Sequence, residues 1–357
     1  MPNFSIYCCC DTNPAILWVG TQSGVAANCG VVALDSAVQP IWQFRTNGVV
    51  ARPTVGNSWG RMCRSDGFLY VPFQRNTSWE GSDGSNKSVA VLDLQTGIPS
   101  FMIDTGSIAN TTAVTPSGQF VVAGTRNNAW PGSGGAQASV FFYDTDGTLL
   151  WTYDTGTTAL TATIDDDGNV VVGGVFNSTT NVHLWRLQAS DGSLLASIRL
   201  DIQNGNVVSV DSGPGATICC VRPSSAPNND IFQLPANLSG VTSSAQKFNG
   251  NFAPTAAINT SPFSWISSNF AGTAMQIESG TELQSIATGL ANPTNVCRTT
   301  VSALPECWVS SLIIVLGANN LAKVTGATMD TATPYRVTFS GNNVNLTTVI
   351  QEKFWHG

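Results

Sequence analysis

The stretch Asp144-Thr-Asp-Gly-Thr-Leu-Leu-Trp-Thr-Tyr-Asp-Thr-Gly156, with Asp165-Asp-Asp-Gly-Asn-Val-Val-Val-Gly-Gly174 just beyond it, carries the reading of this chain. Its apolar blocks are strand-sized and rich in β-branched and aromatic residues. Asp-Gly and Thr-Gly pairs bound them and supply the backbone angles of tight turns. In order, the stretch gives the end of one strand, a turn, a strand with a Trp, a Thr-Gly break, a second turn and a very apolar strand.

The same order recurs on either side. Val89-Ala-Val-Leu-Asp93 is followed by Thr96-Gly97, Phe101 and Asp104-Thr-Gly106, and Val31-Val-Ala-Leu-Asp35 runs on to Trp42. Gly67-Phe-Leu-Tyr-Val-Pro and Gly118-Gln-Phe-Val-Val-Ala-Gly124 match the closing strand that begins at Gly168. Later units are degenerate but keep the rhythm at Val182-His-Leu-Trp-Arg-Leu, Ile231-Phe-Gln-Leu, Met275-Gln-Ile and Ala322-Lys-Val. Starts at Val31, Val89, Val140, Val182, Ile231, Met275 and Ala322 recur every 48 residues or so, against about 40–50 for a four-stranded propeller blade.

This pattern predicts an all-β fold: a single β-propeller domain over residues 1–357 with about seven four-stranded blades. Six or eight stay open because the last three units are weakly marked. A four-stranded sheet has two apolar faces and cannot bury both alone, so neighbours must stack around an axis. Pro14-Ala-Ile-Leu-Trp-Val-Gly20 matches a closing strand. The N- and C-terminal strands are therefore expected to share a blade, closing the ring without a free sheet edge. A short C-terminal extension is expected around residues 340–357.

Composition agrees. Charged residues make up 10% of the 357, with 15 Lys and Arg against 22 Asp and Glu; an ordinary soluble domain has about 25%. Ser, Thr, Asn and Gly carry the polarity, and the residues that favour long surface helices are scarce. A net charge of −7 argues against a nucleic-acid partner, which needs clustered Lys and Arg. No apolar run is long enough for a membrane-spanning helix, and no membrane insertion is expected. The first residues lack a secretory signal pattern, so synthesis in a cytoplasm is expected. Nine cysteines, at 8, 9, 10, 29, 63, 219, 220, 297 and 307, are too sparse for a disulfide scaffold. They read as free, mostly buried thiols.

The Asp144–Gly156 and Asp165–Gly174 phrasing resembles the quinoprotein-like β-propeller repeat. The likeness is good over the second to fourth units, partial in the first and thin after about Pro223. It implies a fold. That superfamily includes quinone-dependent dehydrogenases, outer-membrane assembly factors and binding or structural propellers. For a dehydrogenase the resemblance would imply pyrroloquinoline quinone, calcium, a catalytic Asp, a stacking Trp and a disulfide between adjacent cysteines. Cys219-Cys220 and Cys8-Cys9-Cys10 look superficially like the last of these. The metal-ligand and catalytic motifs have no counterpart in this sequence, so no cofactor, no metal site and no catalytic residue are assigned.

Other chemistry fares no better. His183 sits in a strand pattern, and His356 is the penultimate residue. No Cys-x-x-Cys spacing supports a zinc site. Asp165-Asp166-Asp167-Gly168-Asn169 fails the alternating order of a calcium loop and reads as a strand-connecting turn. Gly132-Ser-Gly-Gly135 has no Lys-Ser/Thr to hold a phosphate and reads as a flexible loop. Eight Asn-x-Ser/Thr triplets follow from the composition, and glycosylation is not expected without a signal peptide.

Two loops point to a partner. Gln74–Lys87 and Thr125–Gln137 occupy the same register on adjacent blades, so they emerge on one face. Trp79 and Trp130 look exposed within them, with Arg75 and Arg126 at their bases. Trp and Arg most often anchor interfaces, and these four residues are the candidate partner-binding set. The alternative is that each Trp folds back to cap its own blade. On the interface reading, Trp→Ala leaves the stability of the isolated ring unchanged.

Low charge, abundant small polar residues and scattered thiols suit a non-enzymatic protein held in a large assembly. The expectation is a bacteriophage virion component, part of a tail or attached to a capsid, whose partners are other virion proteins. The alternative is a cellular propeller that binds a protein or a glycan, and the third reading is a quinoprotein-like dehydrogenase.

Overall fold

In the computed structural model, residues 29–35, 39–48, 50, 62–65, 67–177, 182–200, 202, 205–213, 216–223, 229–235 and 238 are described, together with the backbone of strands at either end of the chain. Among the described residues the structure is all strand and turn, so no helix is long and apolar enough to cross a membrane. The first unit runs β1 (Phe4–Cys10), β2 (Leu17–Gln22), β3 (Gly30–Leu34) and β4 (Pro40–Arg45). The second is β5 (Cys63–Ser65), β6 (Phe68–Asn76), β7 (Lys87–Asp93) and β8 (Pro99–Ile103). The third is β9 (Ala109–Val114), β10 (Phe120–Asn127), β11 (Ala138–Tyr143) and β12 (Leu149–Tyr153). The fourth is β13 (Ala159–Ile164), β14 (Val170–Asn177), β15 (Val182–Leu187) and β16 (Leu194–Ile198).

The remaining units follow the same order. β17 (Gly205–Gly213), β18 (Ala216–Pro223) and β19 (Asn229–Pro235) pair onward to the first half of the long β20 (Gln246–Thr260). The second half of β20 opens the next unit with β21 (Phe263–Asn269), β22 (Thr273–Glu278) and β23 (Thr281–Ala287). β24 (Pro293–Arg298), β25 (Cys307–Ile313), β26 (Leu321–Thr325) and β27 (Thr331–Ser340) form the last, and β28 (Asn343–Thr347) pairs with the far end of β27. Among the described residues the antiparallel ladders thus divide into seven four-stranded units, a β-propeller of about seven blades. Each of the seven starts read from the sequence lies on the third strand of its unit.

First strands are neighbours in the order β5, β9, β13, β17, β20, β24, β1, as strands lining an axis must be. The ends of the chain meet in one sheet, because β1 pairs with β25 at Phe4–Ile313 and Ser5–Leu312. Within that sheet β1 to β4 make a complete unit of their own. The joint is therefore a pairing between two units rather than one unit assembled from both ends.

Alternation along each strand explains why the units stack. On β6, Leu69 and Val71 face the first unit, packing with Val31, Ala33 and Phe44, while Tyr70 faces the third, packing with Phe120 and Phe141. Val121 and Ala123 on β10 likewise face the fourth unit, and Phe120 and Val122 the second. Both faces are buried, each large side chain contributing about 1.5–3 kcal/mol.

A second contact joins the same neighbours. Trp42, Phe101 and Trp151, each on the outer strand of one unit, lie against Gly97, Gly147 and Gly192 in the last turn of the next, where a Cβ would come within 2.5–2.8 Å of the ring. Trp42 and Trp151 also donate their indole N–H to Leu94 O at 2.9 Å and Ala189 O at 2.8 Å. The Trp and the Thr-Gly or Asp-Gly of the sequence repeat are thus two halves of one inter-unit joint.

Candidate functional site

The loops after β6 and β10 share one hydrogen-bonded frame. Asn76 Nδ2 donates to Thr46 O and Gln74 O while its Oδ1 accepts from Ser78 N. Asn127 does the same with Thr105 O, Thr125 O and Ala129 N. Ser82 Oγ closes its loop on Thr77 O and accepts from Gly84 N, and Ser133 Oγ closes the other on Asn128 O and accepts from Gly135 N. Gly132–Gly135, expected as a flexible loop, is therefore part of a hydrogen-bonded frame.

Each indole folds back into its own loop. Trp79 Nε1 donates to Ser85 O at 3.3 Å, and Trp130 Nε1 donates to Ala136 O at 3.2 Å. Both side chains are half-buried; Trp79 packs on the core between the first two units, and Trp130 meets Phe141 edge-on at 6.0 Å. The arginines turn inward as well. Arg75 grips Asp104 through two bonds of 2.7 and 2.8 Å, and Arg126 grips Asp154 through bonds of 2.6 and 2.7 Å. Both ion pairs hold the arginines fully charged, and Arg126 pulls the Asp154 carboxyl below the usual range.

Those aspartates open the two Asp-Thr-Gly links. Asp104 Oδ1 and Asp154 Oδ1 also accept from Gly106 N and Gly156 N, each at 2.8 Å. Both glycines have φ near +80°, a conformation costly to other residues. Gly106 leaves room for the next unit's loop: a Cβ there would sit 2.4 Å from Trp130 N. Thr105 and Thr155 bond back to the buried hydroxyls of Ser88 and Ser139, each at 2.9 Å. At the preceding link Asn47 takes the glycine's place with φ +46°, and its Nδ2 reaches Ser78 O.

The fourth unit replaces this machinery with another solution. By ladder register Phe176 stands where Arg75 and Arg126 do, His183 where Ser88 and Ser139 do, and Arg199 where the aspartates do. His183 is buried, packs against Phe176 with ring centroids 4.7 Å apart and the planes tilted by 34°, and accepts from Leu200 N through Nδ1 at 3.1 Å. Burial, with the charge of Arg199 adding to it, pushes its pKa down to about 4. It is therefore neutral, and its Nε2 has no hydrogen-bond partner among the described residues.

Asp165–Asn169 is a strand-connecting turn. Asp165 Oδ1 accepts from Asp167 N and Asn169 N, and Arg186 bridges Asp165 and Asp167 at 2.7 and 2.6 Å. Among the described residues no three His, Cys, Asp or Glu side chains converge as a metal site. Cys29, Cys63, Cys219 and Cys220 form no disulfide; burial pushes Cys63 up to about 12 and also raises Cys219 well above the ordinary thiol value. The side chains of the other cysteines, and His356, lie outside the described residues. Asn110 is buried with its Nδ2 on Ala159 O, closed to any glycan.

At the opposite end of the sheets lies a cleft of about 780 Å³ between the second and third units, lined by Arg64, Ser65, Phe68 and Tyr70 on one side and Val114–Gly118 with Thr145 on the other. Ser65 Oγ and Tyr70 OH pair at 3.2 Å, and Thr115 Oγ1 and Ser117 Oγ at 2.8 Å. The sequence reading missed this cleft, because its lining comes from strand ends and short turns that look like ordinary connections.

No family model matches the chain, and no curated protein sequence does. Solved structures do. A Kuenenia stuttgartiensis hydrazine synthase chain aligns with TM-score 0.63 and 14% identity, covering 91% of this chain and 96% of that one. The Neurospora crassa Pan2 WD40 domain aligns at 0.53 and 12%, covering 91% and 86%. BamB from Moraxella catarrhalis aligns at 0.49 and 13%, covering 86% and 90%. At these identities the first two bear on fold alone, and the fold they share with this chain is the β-propeller.

Proposed function

We propose that the protein is a non-enzymatic interaction platform whose partner-facing surface is built on the Thr77–Asn86 and Asn128–Gln137 loops. One observation carries this reading: the residues that build the frame are identical in the two loops, and four exposed positions between them differ. Arg75 and Arg126, Asn76 and Asn127, Trp79 and Trp130, Gly81 and Gly132, Ser82 and Ser133, and Gly84 and Gly135 repeat residue for residue. The exposed pairs Thr77/Asn128, Ser78/Ala129, Glu80/Pro131 and Asp83/Gly134 do not. A fixed frame with variable tips is how rigid scaffolds display recognition residues. The exposed rims of Trp79 and Trp130 add apolar area to that surface.

The finer reading is a bacteriophage virion protein of the quinoprotein-like repeat type, made in the host cytoplasm and bound to other virion proteins. Low charge and many small polar residues support it, since neighbouring copies would repel little. The non-enzymatic reading is supported by His183, which lies buried against Phe176 rather than in a cleft. Ser78→Arg with Ala129→Arg alters only exposed tips. It is expected to leave the thermal unfolding midpoint within about 2 °C, because surface changes stay within roughly 0.5 kcal/mol. The same change is expected to abolish co-sedimentation with purified particles. Retained co-sedimentation in the stable variant would refute the loop surface, and absence of the protein from particles by mass spectrometry would refute the virion reading. Trp79→Ala tests something else. Its packing now predicts destabilisation by roughly 1–3 kcal/mol, unlike the sequence reading.

A further inference from the structure

We propose that the cleft between the second and third units binds a neutral saccharide, independently of the loops at the other end of the sheets. Its described lining carries one cationic residue, Arg64, and no carboxylate, but five hydroxyl groups: Ser65, Tyr70, Thr115, Ser117 and Thr145. A hydroxyl offers one donor and two acceptor sites. In the Ser65–Tyr70 and Thr115–Ser117 pairs the protons of Tyr70 and Thr115 go to Gly118 O and Gln119 O, so what the pairs keep is acceptor capacity for a ligand that donates hydrogen bonds. Sugar hydroxyls do that. Phe68 is half-buried in one wall, with Val114 and Pro116 in the other, and offers apolar surface to the C–H face of a pyranose ring.

Two further features shape the site. Gly118 has φ +88°, and a Cβ there would come within 3.1 Å of Thr145 Cγ2, narrowing the mouth. The floor is rigid, because Tyr70 packs against Phe120 with ring centroids 4.7 Å apart and its hydroxyl donates to Gly118 O at 3.4 Å. A cleft of about 780 Å³ falls within the range of roughly 300–1,000 Å³ typical of small-molecule sites. An anionic ligand fits less well: a single Arg faces it on a chain of net charge −7.

The test is saturation-transfer NMR on the full chain with millimolar cellobiose, maltotriose, lactose and N,N′-diacetylchitobiose, repeated with N-acetylneuraminic acid and inorganic phosphate. Transfer to at least one neutral sugar is expected. Ser117→Trp or Thr145→Tyr, each placed on an exposed turn to fill the cleft, is expected to weaken that binding at least tenfold. Ser78→Arg at the opposite end is expected to change it less than twofold. The proposal fails if no neutral sugar shows transfer, if both folded cleft variants bind as well as the parent, or if only the anions bind. None of these outcomes touches the loop surface, whose test is particle association.

Discussion

Ser88 and Ser139 each set one buried hydroxyl beneath the link that leads to the next unit. At the equivalent place the fourth unit carries an imidazole, and its neighbours have changed with it. Phe176 replaces an arginine, Arg199 replaces an aspartate, and the hydroxyl's acceptor role passes to His183 Nδ1. Protonation would remove that acceptor and charge a group packed against a phenyl ring. The folded-state pKa is about 4, below the roughly 6.5 of a solvated imidazole. The unfolded chain thus binds the proton first as pH falls, and stability drops from about pH 6.5 down to about 4 and then levels for this group. The loss is on the order of 3 kcal/mol at about 1.4 kcal/mol per pKa unit. Urea unfolding of the parent and of His183→Asn, whose side-chain oxygen can still accept from Leu200 N, should show the pH slope only in the parent. Equal slopes would mean that His183 is charged or solvent-linked in the native ring.

Elements join through a ring and a glycine. The repeat showed the Trp and the Thr-Gly as separate marks, since their contact runs between units about fifty residues apart in sequence. Gly192 has φ +73°, and a Cβ on it would strike Trp151 at 2.7 Å; Gly168 has φ +80° with open space around it. Both substitutions to Ala cost the left-handed penalty of roughly 1–2 kcal/mol. Gly192→Ala should cost at least about 1 kcal/mol more, because a packed indole must shift. Chemical denaturation of the two variants measures the difference, and equal losses would show that the joint yields freely. The Trp79 and Trp130 loops were legible as a pair on one face but not as a frame. Gly, Ser and Asn read as exposure, whereas these residues close hydrogen bonds that fold each indole back. The available signal was the internal identity Arg-Asn-x-x-Trp-x-Gly-Ser-x-Gly at matched register.

At the scale of the molecule, the repeat gave the number of units and their phase but not the way the ends meet. The strands before Val31 and those from Ala322 onward read as halves of one unit because the third strand is the best marked in every unit. The weakly marked first and second strands before Val31, β1 and β2, in fact complete a unit with β3 and β4. Closure then rests on β1, the strand that pairs both with β2 and with β25. Deleting residues 1–22 removes β1 and β2 and exposes the edge of β3 and the Leu312–Ile313 end of β25. Unpaired edges cost backbone hydrogen bonds and invite association. The shortened chain is expected to unfold at a lower temperature, with a smaller denaturant slope because less surface is exposed on unfolding, and to self-associate in sedimentation. Deleting residues 348–357 leaves every described ladder intact and should change neither midpoint nor slope. If the C-terminal deletion instead proves the more damaging, the last ten residues close the ring and the β1–β25 pairing does not.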